Sequence, residues 1–372
     1  MNLDFTQEQN LLRETASKFF ANECPFDMVR ELEESEIGYS PELWSKMAEM
    51  GWLGWLFPEN YGGYGGEFTD IAIIQEEIGK AAYPSPFYST IITCGLLIIE
   101  GGSEDIKKEL IPQISDGSLI MAFAQEEKDG YYEEAGINMQ AKPSGNDYIL
   151  NGTKMFVMDA NIANKIIVIA KSDDKNITLF LADAKDPGIT CTKIPTIGMD
   201  NTCEVIFKDV KLPKTSIIGK VGQGWNILQK ISSKMAVAKS AEMLGGCKKS
   251  IDITAEYSKE REQYGKPLGG FQAIQHYMAN MLVAYDTSFN YLYKVCWMIE
   301  EGLDSTGPSS AIKAQLNEKY KFITERGVQI HGGVGTSREF DIGLFYRRAK
   351  SMEYITGDSD YHYEIIAKSL GL

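Results

Sequence analysis

The sequence predicts an α+β protein of three consecutive parts: an N-terminal helical domain (residues 1–116), a middle antiparallel β domain of sandwich or barrel type (117–222) and a C-terminal four-helix bundle (223–372). Three observations predict it. Apolar residues recur at helical spacing in the first third. Segments rich in Ile and Val alternate on a two-residue period in the middle. Long helical patterns with short links return after Trp225, as a bundle requires. A chain of 372 residues is also too long for one small core.

Leu3, Phe5, Leu11, Leu12, Phe19 and Phe20 fit an amphipathic helix that starts near Thr6, and Pro25 closes that region. Pro41 sits early in a second helix over 42–50, with Ser40 as its N-cap. The glycine run from Pro58 to Gly66 follows no strand, so it reads as a loop and not as a dinucleotide fingerprint. Helical patterns resume over 70–80 and 89–100. In the middle part, 148–150, 166–170, 178–182 and 203–207 read as strands. Asn151-Gly152 is expected to be a hairpin turn because both residues tolerate positive φ, and 143–147 is expected to be another turn. The bundle helices are drawn over 225–261, 271–301, 308–330 and 338–370. Ala241, Gly245 and Gly246 on the first of them allow close helix contact.

The formal net charge of −15 repels a phosphate backbone and anionic lipid, so neither nucleic acid nor a membrane surface is an expected partner. The six cysteines form no CxxC pattern and point to a reducing compartment. His276, His331 and His362 are far apart and have no metal-ligand spacing, so no metal site is expected. Residues 1–18 lack a basic segment followed by an apolar one, and the apolar run 91–99 is too short to span a bilayer. The expected location is cytoplasmic.

Two segments can carry chemistry. In Arg261-Glu262-Gln263-Tyr264-Gly265, an arginine at a helix end can fork onto a phosphate, and the glycine admits a ligand close to the backbone. The plainer reading is a helix C-terminus whose basic residues complement the macrodipole. In Gln329-Ile330-His331-Gly332-Gly333-Val334-Gly335, glycines expose backbone N–H groups that can hold an anion, although a turn between helices also needs glycine.

The combination is more specific. With the helical, β, helical order, the Gly222-Gln223-Gly224-Trp225 junction and Arg347-Arg348-Ala349-Lys350, these motifs resemble the acyl-CoA dehydrogenase family of flavoproteins over essentially the whole chain. The resemblance implies FAD as cofactor and an acyl-CoA thioester as substrate. It implies a base that removes an α-proton while the β-hydride passes to the flavin, and an electron-transferring flavoprotein as acceptor. It also implies a homologous subunit in a dimer or tetramer. By the same resemblance, Arg261 contacts the FAD pyrophosphate across a dimer interface and Tyr264 packs beside the cofactor. Gln272 matches the glutamine of a Phe-Gln pair, and Gln329, Ile330, His331, Gly332 and Gly333 form the loop for a neighbouring subunit's FAD. Asp358 is expected at the cofactor as well.

The chain departs from the family pattern around the flavin ring and at the base. Glu126 stands where a flavin-contacting threonine is expected, and Met158, which has no hydroxyl, stands where another is expected. The two positions at which family members carry the base are Thr356 and Met235 here, and neither residue is a base at neutral pH. Asp358, Glu242 and Glu126 are the candidate substitutes. Three readings follow: a subunit of a heteromeric enzyme acting on a bulky, ring-containing or otherwise unusual acyl-CoA, a stand-alone homotetramer with a non-standard base, and a flavin-free scaffold of the same shape. Residues 83–93 and the first bundle helix are expected to line the acyl pocket.

Overall fold

Thr6 opens the first helix through a reciprocal cap: its hydroxyl accepts from Gln9 N at 3.1 Å, and the Gln9 side chain accepts from Thr6 N at 3.1 Å. The computed structural model describes residues 4–173 and 176–372; Leu3, counted in the apolar stripe, lies outside the described residues. Helix α1 spans Gln7–Glu23. Pro25 then caps α2, Phe26–Glu34, which the apolar pattern did not reveal. Helix α3, Pro41–Glu49, starts at Ser40, whose hydroxyl accepts from Leu43 N at 3.2 Å. Helix α4 covers Phe68–Ala81. The helix expected over 89–100 is two windings, a π-helical stretch Tyr88–Gly95 that tightens into α5, Leu96–Gly101. Helix α6, Glu104–Ser115, completes the N-terminal part.

The β part contains β1 Met121–Ala124, β2 Gln140–Ser144, β3 Asp147–Met158, β4 Lys165–Lys171, β5 Ile177–Asp183, β6 Ile189–Lys193, β7 Thr202–Pro213 and β8 Ile217–Ile218. The sheet order is β6-β7-β3-β2-β4-β5-β8, with β1 beside β4. The sheet is mostly antiparallel, but β1 runs parallel to β4, and Gln140 of β2 pairs in parallel with Lys171 of β4. The expected Asn151-Gly152 hairpin does not form. Strand β3 runs straight through, and the pairing with β7 slips one residue between Leu150 and Gly152. This is a bulge, with Gly152 at φ +151°. Asn151 fixes it by exchanging two hydrogen bonds with Asp209, 3.0 and 2.9 Å long. The turn at 143–147 does form, joining β2 to β3. This sheet has its own apolar core around Leu150, Val168 and Phe207.

After it come α7 Gly224–Glu260, a two-stranded hairpin of β9 Glu262–Gln263 and β10 Lys266–Pro267, α8 Gln272–Glu300 and α9 Thr306–His331. The fourth bundle helix, expected to be continuous over 338–370, is broken into α10 Asp341–Met352 and α11 Ser359–Ser369. At the break Thr356 has φ +67° and Gly357 φ +114°, which no helix accommodates. No helix among the described residues is long and apolar enough to cross a membrane, and no group of three or more His, Cys, Asp or Glu among them could hold a metal.

Helices α4 and α7 touch backbone to backbone. A Cβ at Gly79 would lie 1.9 Å from the Glu242 carbonyl oxygen, and one at Gly245 would lie 1.9 Å from that of Glu76. Both helices are buried at this crossing, so neither can move aside cheaply. Gly245→Ala should therefore destabilise the protein by roughly 1–3 kcal/mol. A thermal melt checks it, and an unchanged midpoint would contradict the crossing.

Candidate active site

A cavity of about 630 Å³ lies where five elements converge: the end of β1, the C-terminal half of β3, the π-helical stretch, the N-terminal half of α7 and the α10–α11 break, with the start of α9 closing one side.

The β wall is set by a buried lysine. Lys154 on β3 donates to the Gln125 carbonyl and to Glu127 Oε1, both at 2.8 Å. Glu127 Oε1 in turn accepts from Asn138 N and Met139 N at 3.0 Å each. Burial pulls the Lys154 ammonium down to about 8, against the pull of Glu127. Between these anchored neighbours Glu126 has its carbonyl fixed by Met155 N at 2.9 Å, while its carboxyl lines the cavity. That carboxyl has no side-chain hydrogen bond or ion pair among the described residues, and burial pushes its pKa up to about 7. Met158 also lines the cavity, and its thioether offers no donor. Next to it Asp159, buried with φ +58°, accepts from Ser89 Oγ at 2.6 Å and from Asn201 Nδ2 at 3.2 Å. Burial raises it to about 6. The Ser89 bond ties the π-helical stretch to the sheet.

The helical wall contains Trp225, Leu228, Met235 and Ala236, and Tyr88 donates to the Met235 carbonyl at 3.1 Å. Tyr88, Ser89 and Thr93 line the cavity, inside the segment that the sequence assigns to the acyl pocket. Glu242 does not line it. Its carboxylate pairs with buried Lys239 at 2.5 Å, and that ammonium also sits 4.1 Å from the centre of the Tyr88 ring.

The third wall is the α10–α11 break. Buried Lys313 of α9 faces the Asn317 side chain at 2.5 Å and the carbonyls of Glu353, Gly357 and Met352 at 3.1, 3.2 and 3.3 Å. Burial lowers its pKa to about 7. The loop held in this way carries Thr356 into the cavity. Asp358 stays out of it and caps α11, accepting from Tyr361 N at 2.9 Å. Tyr361 and His362, on the first turns of α11, line the cavity. Sequence reading missed His362 because it weighed histidines only for metal spacing. The signal was its place six residues after Thr356.

Thus the structure brings Glu126, Met235 and Thr356 together at one cavity and leaves Glu242 and Asp358 outside it. The other predicted residues form a separate outward-facing group. Tyr264 and Gly265 both have positive φ, +53° and +79°, at the tip of the β9–β10 hairpin. Tyr264 is 93% exposed. Arg261 is exposed, with no ion pair or hydrogen bond from its side chain among the described residues. Gln272 is exposed at the start of α8, and Gln329 near the end of α9. Ile330 and His331 are buried; the His331 ring stacks on Tyr257 at 4.1 Å, and its Nδ1 lies 2.8 Å from the Gly327 carbonyl. A Cβ on Gly332 or Gly333 would meet nothing within 4 Å, so their backbone faces open space.

Comparison with known proteins agrees with this layout. Residues 6–118, 122–210 and 222–371 match the N-terminal, middle and C-terminal domains of acyl-CoA dehydrogenase. A probable acyl-CoA dehydrogenase of Bacillus subtilis, YngJ, is 29% identical, with 100% of each chain covered. The butyryl-CoA dehydrogenase of Megasphaera elsdenii superposes with a TM-score of 0.92 at 26% identity, covering 100% of each chain. The FAD complex of PigA superposes with a TM-score of 0.93 at 26% identity, again covering 100% of each chain.

Burial raises the folded-state pKa of Glu126 from 4.5 to about 7. The folded state therefore holds its proton more tightly than the unfolded chain. The stability this provides is fully present below about pH 4.5 and is lost as pH rises toward 7. Glu126→Gln removes the dependence. The variant should match the parent near pH 4.5 and exceed it by roughly 1–3 kcal/mol at pH 8. Urea unfolding at both pH values measures this, and a constant difference between the two proteins would contradict it.

Proposed function

Because the chain belongs to the acyl-CoA dehydrogenase family, we propose that it is one subunit of an FAD-dependent acyl-CoA dehydrogenase built from unlike chains, acting on a bulky, ring-containing or otherwise unusual acyl-CoA. The observation that carries this reading is the contrast between its two groups of residues. The outward-facing group is complete, whereas the cavity has Thr356 and Met235 at both positions of the family base and Met158 where the ring expects a donor.

FAD is the cofactor of this fold, and the outward group fits its phosphates chemically. Arg261 would fork onto the pyrophosphate, and the open backbone of Gly332 and Gly333 would receive phosphate oxygens that a side chain would block. Tyr264, Gln272 and Gln329 would flank them. When bound, FAD supplies a hydride acceptor. All of these groups point away from the chain's own cavity, as residues serving a neighbouring subunit's cofactor must.

Inside the cavity this chain supplies shape and exclusion of water. Tyr88, Leu228, Met235 and Ile355 give an apolar lining for the acyl group, and Trp225 stands among them. The α-proton would then be taken by a carboxylate of the unlike chain. Electrons would leave to an electron-transferring flavoprotein. A second reading, a stand-alone enzyme, is favoured by Glu126, a cavity carboxyl poised near neutrality and free to take a proton.

The chain expressed alone should be colourless, and co-expression with an unlike family member should give a yellow assembly that reduces an electron acceptor with an acyl-CoA. Visible spectra and solution mass decide the matter. A yellow homotetramer with that activity would refute the mixed assembly and leave Glu126 as the base. In the active assembly, Arg261→Ala should weaken FAD binding about 10- to 100-fold, the loss of a charge-assisted hydrogen bond, measured by flavin fluorescence.

A further inference from the structure

Three side chains on one side of the cavity have buried polar atoms without a hydrogen bond of ordinary length and angle among the described residues. They are Ser309 on α9, Thr356 in the α10–α11 break, and His362 on α11, the last at both ring nitrogens. Ser309 is 1% exposed and His362 2% exposed. Buried polar atoms are nearly always paired, and unpaired ones are rare and costly. Three such residues from three elements facing one cavity make a site that lacks its ligand partner atoms, not a packing fault.

The backbone adds an independent sign. Thr356 is β-branched and still sits at φ +67°, a conformation that costs energy and concentrates at functional sites. Lys313 holds the strained loop by donating to Glu353, Gly357 and Met352 carbonyls. Elsewhere among its lining residues the cavity is closed by Tyr361, whose ring meets Tyr132 at 5.2 Å.

We propose that Ser309, Thr356 and His362 form a polar subsite that recognises a hydroxyl group carried on the acyl portion of the substrate. The inference deepens the acyl-CoA reading above and rests on it. A hydroxyl is the oxygen substituent that matches this set. It can accept from the Ser309 or Thr356 hydroxyl while donating to an unprotonated imidazole nitrogen. Desolvation and the nearby Lys313 charge push His362 down to about 3, against a smaller upward pull from the Thr356 backbone, so the ring is neutral and offers one donor and one acceptor. A carboxylate would leave the imidazole acceptor facing negative charge. A plain hydrocarbon would leave all three residues unpaired, which is why a site built this way rejects it.

The test measures binding of butyryl-CoA, its 2-, 3- and 4-hydroxy isomers and succinyl-CoA to the FAD-loaded assembly by calorimetry. At least one hydroxy isomer should bind about tenfold or more tightly than butyryl-CoA, the effect of satisfying buried polar groups. His362→Phe and Thr356→Val should each bring that preference close to parity, and His362→Gln, which keeps a donor and an acceptor, should retain most of it. Circular dichroism on the same samples identifies a variant that fails to fold, and the wild-type comparison among the thioesters stands without any variant. Butyryl-CoA binding as tightly as every hydroxy isomer overturns the subsite and leaves the acyl-CoA reading intact. Preference for succinyl-CoA also overturns it, in favour of an anion site. If no thioester binds, the acyl-CoA reading falls and the subsite falls with it.

Discussion

The active-site geometry depends on one buried ammonium. Lys313 faces three carbonyls and the Asn317 side chain, all within 3.3 Å. Those carbonyls are the ones that a helix leaves unsatisfied where it stops. By meeting them inside the protein, Lys313 makes it possible to break the last bundle helix within the core instead of at the surface. The break turns the chain into the cavity at Thr356 and restarts it at Asp358, which caps the next helix. Everything that the third wall contributes, from Thr356 to His362, follows from that interruption.

A comparable device sets the opposite wall. Lys154 pins the Gln125 carbonyl and the Glu127 carboxylate, so the residue between them has nowhere to go but the cavity. Its side chain there is Glu126, an acid that burial leaves near neutrality. Two buried lysines thus present the cavity's unusual residues while taking no part in lining it. The phosphate-side group obeys a different logic. It is built from a positive-φ hairpin tip, an unpaired arginine and two glycines with nothing in front of them, and such a surface is stable only because water solvates it until a ligand arrives.

Much of this was legible in the sequence where local chemistry decides the outcome. Thr6 and Ser40 cap their helices because a hydroxyl one residue before an apolar period has little else to do. Tyr264-Gly265 forms a tight tip at a helix end, and Gly245 crosses a neighbouring helix. Where tertiary context decides, the sequence misled. Asn151-Gly152 carries the chemistry of a turn, but Asp209 on β7 captures Asn151 and converts it to a bulge. The break at Thr356 has no proline to announce it, since its cause is Lys313 some forty residues away. Glu242 looked available on a helical face, but the same periodicity places Lys239 within reach to neutralise it. His362 was overlooked because nothing local distinguishes a cavity histidine from a structural one.

The account makes this chain a contributor to flavin binding across an interface and not the holder of a complete flavin site. The most direct measurement is the ratio of FAD to polypeptide in the purified active assembly, with FAD released by denaturation and each chain counted by quantitative mass spectrometry. Equal numbers of unlike chains with one FAD for each pair is the result expected if Arg261 and the Gly332–Gly333 loop serve the other chain's cofactor. One FAD for every copy of this chain, in an assembly that contains no other chain, would contradict it.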